Sequence, residues 1–76
     1  MAMHVSSRRI YRALGAAVRA ERKKTHLSQE KLAERVDFTR NYIGAIEWGE
    51  RKPTVEALAK LARALKCRVR DLVWDV

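Results

Sequence analysis

Apolar residues recur along this chain at steps of three and four, the spacing that lines one face of a helix, and the recurrence stops and restarts several times. From about Arg8 to Lys24, Ile10, Leu14, Ala17 and Val18 share a face, with Arg12, Arg19 and Lys23 opposite. Thr25 and His26 break the pattern. Ser28 is placed as an N-cap, with Gln29 and Glu30 in the first turn of a second helix, about Gln29 to Val36. Its inner face holds Leu32, Ala33 and Val36, and Ala33 is small where two steeply crossing helices would otherwise collide. Asp37 stands where the turn needs a left-handed residue, which Asp tolerates less well than Gly but better than most. Phe38 sits in the turn. Thr39 then caps a third helix, about Arg40 to Trp48, with Ile43 and Ile46 inward and Gly49 ending it. After a charged loop, Glu50 to Pro53, Thr54 caps a fourth helix, about Val55 to Leu65, whose apolar face is Leu58, Leu61, Ala62 and Leu65. A short fifth helix, about Val69 to Trp74, closes the chain. Strand signals are scarce, so the expected fold is all-α: a compact five-helix domain over residues 10–76. Residues 1–9 are expected to form a flexible basic arm that includes Arg8 and Arg9.

Composition narrows what such a domain does. At 76 residues it is one unit near the lower limit for independent folding. Lys and Arg outnumber Asp and Glu by 17 to 9, a formal charge of +8, which favours a polyanionic partner, most simply DNA or RNA. The basic first helix invites comparison with a membrane-surface helix. Its apolar face is mostly small residues, however, and it runs straight into further amphipathic helices, so packing into a bundle is the better use. No apolar run is long enough for a membrane span or a signal peptide. Cys67 is the single cysteine, which excludes an intrachain disulfide and a structural zinc site and fits a reducing cytoplasm. Its expected role is that of a small core residue. His4 and His26 are isolated. No catalytic constellation, metal site or cofactor motif is present, and no enzymatic activity is expected.

The outer face of the third helix carries Arg40, Asn41, Gly44 and Ala45, with Tyr42 flanking. Two short helices joined by a tight turn, the second with a polar or small outer face, have the spacing of a helix-turn-helix (motif 29–49). The strings LSQEKLAERV, TRNYIGAIEWGERKPT, LAKLARAL and DLV resemble the XRE family of DNA-binding domains, which includes lambda repressor and Cro-like regulators. The resemblance runs from about Leu14 to Val73. The string RNYIGAIEWGER is similar to the small stand-alone members, among them the controller proteins of restriction-modification systems. Two departures stand out: Asp37 where the turn usually carries Gly, and Trp48 where a polar or basic residue is common. For Trp48, packing into the small core against Pro53 is favoured over lying on the sugar-phosphate backbone.

In such a motif the second helix enters the major groove and its N-terminal residues meet base edges. Arg40 is a candidate for guanine O6 and N7, and Asn41 for adenine N6 and N7, each pair worth about 1–3 kcal/mol of discrimination. Gly44 and Ala45 would let the helix sit deep, with the Ala45 methyl against a thymine methyl, and the Tyr42 hydroxyl would reach a base or a phosphate. A cation at position 40 opposes the helix dipole, which is easier to explain with an anion opposite. Expected backbone contacts are Thr39, Arg51 and Lys52, then Arg19 and Lys23. The resemblance implies that Gln29 contacts a phosphate or buttresses the recognition helix, and that Arg22 and Glu47 form a partly buried salt bridge.

The C-terminal segment 66–76 concentrates Leu72, Val73, Trp74 and Val76, too many apolar residues for one inner face, which points to a partner surface. Small family members dimerise through their C-terminal helices, so the resemblance implies a homodimer on double-stranded DNA. A two-fold dimer would present recognition helices to half-sites roughly 34–36 Å apart. The leading function is thus a sequence-specific transcriptional regulator. An antitoxin-like autorepressor and a protein-interaction adaptor on the same fold are the alternatives. Activation would require contact with RNA polymerase, for which Glu30, Glu34 and Glu50 are the acidic residues near the motif.

Overall fold

The computed structural model describes residues 6–76, so most of the arm expected over residues 1–9 lies outside the described residues. Five helices follow in order: α1 (Ser7–Lys24), α2 (Gln29–Val36), α3 (Arg40–Glu47), α4 (Val55–Ala64) and α5 (Val69–Val73). Among the described residues there is no strand. Arg8 and Arg9 belong to the first turn of α1 rather than to an arm.

The helix starts follow from side-chain capping. Ser28, Thr39 and Thr54 each have extended backbone and accept, through the side-chain oxygen, from the N–H three residues on, at 3.0–3.1 Å. At α5 the arrangement is reversed, and the Asp71 carboxylate accepts from the Arg68 N–H at 2.8 Å. The helix ends share one device. After α1, α2, α3 and α4 a residue turns left-handed: His26, Asp37, Gly49 and Lys66, with φ of 59°, 59°, 77° and 58°. The next N–H then reaches back over the last turn: Leu27 to the Arg22 carbonyl, Phe38 to Ala33, Glu50 to Ala45, Cys67 to Ala62. Leu27, Phe38 and Cys67 use that bond to tuck an apolar side chain against the core. Asp37 therefore has the left-handed conformation its position requires.

The core is one cluster built from Leu14 and Val18 of α1, Leu32, Ala33 and Val36 of α2, Ile43 and Ile46 of α3, Leu58, Leu61 and Ala62 of α4, then Leu65 and Leu72. Helix α1 lies against α3 and α5, α2 against α3 and α4, and α4 against α5. The α1–α3 crossing is tightest at Gly15, where a Cβ would meet the Ile46 carbonyl oxygen and come within 2.6 Å of the Glu47 carbonyl oxygen. No side chain fits there. A Cβ on Gly49 would likewise stand 3.0 Å from the Arg12 backbone. Two glycines thus let α1 lie backbone to backbone on the C-terminal end of α3, and this fixes the angle at which α3 is presented.

Two further expectations are corrected. Leu72 is only 1% exposed and belongs to the core, because a five-residue helix wedged against α1 and α4 has one inner face and Leu72 occupies it. Trp48 is not packed inside: it is 70% exposed. The core-facing positions of α3 are Ile43, Ile46 and Glu47, and the residue after Glu47 is carried round to the open side.

Candidate nucleic-acid interface

The exposed surface of α3 is set by what its inner face does. Ile43 and Ile46 hold the helix to the core, and Thr39 occupies the Tyr42 N–H. The Arg40 and Asn41 N–H groups are left at the open N-terminus, where a helix favours anions. The Thr39 hydroxyl, exposed and already accepting, keeps its own proton to donate. Arg40 and Asn41 are exposed, while Gly44 and Ala45 are half-buried one turn later on the same side. Among the described residues Arg40 makes no ion pair, although it borders a shallow groove with Glu30, Glu34 and Asp37. Glu34 is itself 3.8 Å from Lys31, and Glu30 and Glu50 are exposed.

Behind this surface sits a polar lock. The Glu47 carboxylate, with a side chain only 2% exposed, accepts from Arg22 Nε at 2.7 Å and Nη2 at 3.1 Å, and from the Gln29 amide at 3.0 Å. Arg22 also donates to the Leu27 carbonyl at 2.9 Å. One carboxylate on α3 therefore ties in α1 through Arg22 and α2 through Gln29, and every buried side-chain polar atom among the described residues has a partner. Gln29 is spent partly on buttressing, and its amide is held beside Gly44, where a Cβ would make ordinary contact at 3.8 Å. The second amide proton of Gln29 remains for another acceptor.

The flanking cations fall into two groups. Arg51 stacks its guanidinium over the Tyr42 ring at 5.4 Å, and Tyr42 meets Phe38 edge-on at 5.1 Å, so Tyr42 is a half-buried strut between the turn and the loop. Lys52 is exposed in the same loop. On the other side Arg19 and Lys23 of α1 line a cleft of about 430 Å³ with Gln29, Glu47 and Trp48. At the far end, Val73 packs partly on the core whereas Trp74 and Val76 remain 75% and 47% exposed. Cys67 is partly buried, and burial, followed by the charges of Glu21 and Asp71, raises its thiol pKa above the ordinary value. That disfavours the reactive thiolate and suits a packing role.

The helix-turn-helix family HTH_3 matches residues 18–72, which span α2, α3 and α4 with most of their neighbours. The chain belongs to that family. It is the lambda-repressor-like class that the sequence resembles. Among its relatives, uncharacterised HTH-type transcriptional regulators of Mycobacterium tuberculosis are 36% identical over 52 residues, covering 68% of this chain, which spans 37% of their length. The control protein C.SmaI of Serratia marcescens is 43% identical over 60 residues, covering 79% of this chain and 71% of that protein. The restriction-modification controller protein C.AhdI of Aeromonas hydrophila superposes with a TM-score of 0.79 at 35% identity, covering 82% of this chain and 94% of that one. The P22 c2 repressor, solved with a synthetic operator, superposes at 0.74 with 33% identity, covering 79% of this chain and 91% of that one.

Two features of this HTH_3 domain escape sequence reasoning: Gly15 sits at the helix crossing, and Trp48 is exposed. Only the first had a local signal, since a glycine inside a helix costs about 1 kcal/mol against alanine and calls for a packing reason.

Proposed function

We propose that this chain is a sequence-specific DNA-binding transcriptional regulator of the controller type, acting in the cytoplasm as a homodimer on a two-fold operator. The observation that carries the reading is the exposed N-terminal half of α3. Arg40 and Asn41 project there, Arg40 without an ion pair among the described residues, from a helix clamped by Gly15 and by the Arg22–Glu47–Gln29 lock. Arg40 and Asn41 read base edges, Tyr42, Gly44 and Ala45 shape the approach, and Gln29, Thr39, Arg51, Lys52, Arg19 and Lys23 address phosphates. The net charge of +8 and the likeness to a repressor solved with operator DNA and to controller proteins support the same reading. Trp74, Val76 and the exposed edge of Val73 form the apolar surface that a second copy would cover.

Binding of the purified protein to DNA directly upstream of its own gene, against scrambled DNA across a salt series, tests the proposal. Tight, sequence-preferring binding that falls steeply with salt is expected. Arg40→Ala should lose preference for the operator while the thermal midpoint stays unchanged; an unaltered preference would remove the base-reading role. Equal binding to both DNAs would overturn sequence-specific autoregulation, and no binding at low salt would overturn the DNA reading altogether.

A further inference from the structure

Asn41, Gly44, Ala45 and Trp48 are spaced by three, four and seven residues and so lie on one stripe of α3. The stripe that begins with the base-reading candidates therefore ends in a large aromatic ring that the fold leaves 70% exposed. Seven residues of helix advance about 10 Å. The major groove is about 12 Å wide. With Asn41 on base edges, Trp48 is carried out to the wall of the groove. The cleft beside it is lined by Ala16 and Ala20, which leave space, and by Arg19 and Lys23, which make no ion pair among the described residues. Glu47, the one acid lining that cleft, is neutralised by Arg22. An apolar ledge with two unopposed cations facing it, continuous with the reading surface, matches a polyanionic strand with apolar sugars.

We infer that Trp48 is a DNA-contacting residue whose ring rests on the deoxyribose wall of the groove entered by α3, with Arg19 and Lys23 taking phosphates of the same strand. The inference rests on the DNA-binding reading above, and its test separates the two. A labelled duplex selected from a randomised pool reports binding by anisotropy, while acrylamide quenching reports the accessibility of Trp48 and Trp74, the two tryptophans of the chain. The protein is held at a concentration where its assembly state no longer changes. Binding should shield tryptophan emission in the wild type, and Trp48→Phe should abolish that shielding. Trp48→Ala should weaken binding about tenfold, as loss of an aromatic anchor does. It should leave the salt slope unchanged, because no phosphate contact is lost. Trp48→Phe should retain most of the affinity. Arg19→Ala with Lys23→Ala should instead flatten the slope by about 2 for each subunit on the duplex. Thermal midpoints close to wild type would show these variants folded. Shielding that persists in Trp48→Phe, or wild-type affinity in Trp48→Ala, overturns the inference while leaving DNA binding intact. In Trp74→Phe, where Trp48 is the remaining tryptophan, shielding that grows with protein concentration and without DNA also overturns it and makes Trp48 a contact between copies. If no duplex is selected and anisotropy stays flat at low salt, the DNA reading itself falls, and this inference with it.

Discussion

The three glycines of the chain do different work, and each has its own substitution signature. At Gly15 a methyl group would enter the carbonyl oxygens at the end of α3, so both backbones would have to separate. Gly15→Ala should lower stability by about 3 kcal/mol, against the helix-propensity gain an ordinary helical glycine would show. Urea unfolding checks the sign. Gly44 faces the opposite case. A Cβ there meets only the Gln29 amide at ordinary contact distance, so the protein has no packing need for glycine. Gly44→Ala should therefore raise stability by up to about 1 kcal/mol while weakening DNA binding, because the helix can no longer approach as closely. A variant that is more stable and binds equally well would deny Gly44 any part in the interface. Gly49 combines a left-handed φ with a Cβ position 3.0 Å from the Arg12 backbone, so a side chain there would be strained in conformation and tight in space.

Among elements, α3 matters most, and its position is determined from behind. The Glu47 carboxylate is nearly inaccessible and compensated by donors from α1 and α2. Arg22→Ala leaves that charge buried with the Gln29 amide alone and should cost about 3–5 kcal/mol. Arg22→Met combined with Glu47→Leu removes both charges and should recover most of that loss, since a packed apolar pair is often as stable as a buried ion pair. The double variant should nevertheless bind DNA less well than wild type, because Gln29 loses the acceptor that holds it beside Gly44. Calorimetry and anisotropy on the two variants distinguish the structural role of the pair from its effect on the interface. Recovery of neither quantity would place the pair among residues the fold cannot replace. Much of this element and its neighbours was legible in the sequence: the caps of α2, α3 and α4 at Ser28, Thr39 and Thr54 and the stop of α3 at Gly49 follow from local chemistry. The lock was not, because Arg22, Gln29 and Glu47 are far apart in sequence and nothing local couples them. Only the resemblance paired Arg22 with Glu47, and it left Gln29 between two roles.

For the whole molecule, the exposed cations Arg40, Arg51 and Lys52 flank α3, and the C-terminal end is an apolar corner. At that corner Trp74 and Val76 stay exposed while Leu72 is consumed by the core. Trp74→Ala should shift the proposed dimer toward monomer in sedimentation velocity without lowering the monomer's stability, since the ring contributes little to its own core. An unchanged mass would place the interface elsewhere. Among the described residues no helix is long and apolar enough to cross a membrane, and no group of side chains could hold a metal ion.

The sequence by itself determined where the helices lie, how they start and stop, and which of their faces is apolar, because each depends on contacts between residues five positions apart or fewer. It also determined the excess of positive charge and the polar, small outer face of α3. The tertiary structure decided which apolar residues the core accepts. Leu72 was accepted, Trp48 and Trp74 were left outside, and Gly15 became a crossing point. These outcomes depend on how α1 lies across α3 and α5, an angle that no local pattern encodes. A short helix such as α5 offers several residues to the core, and only the neighbours it meets select the one that fits.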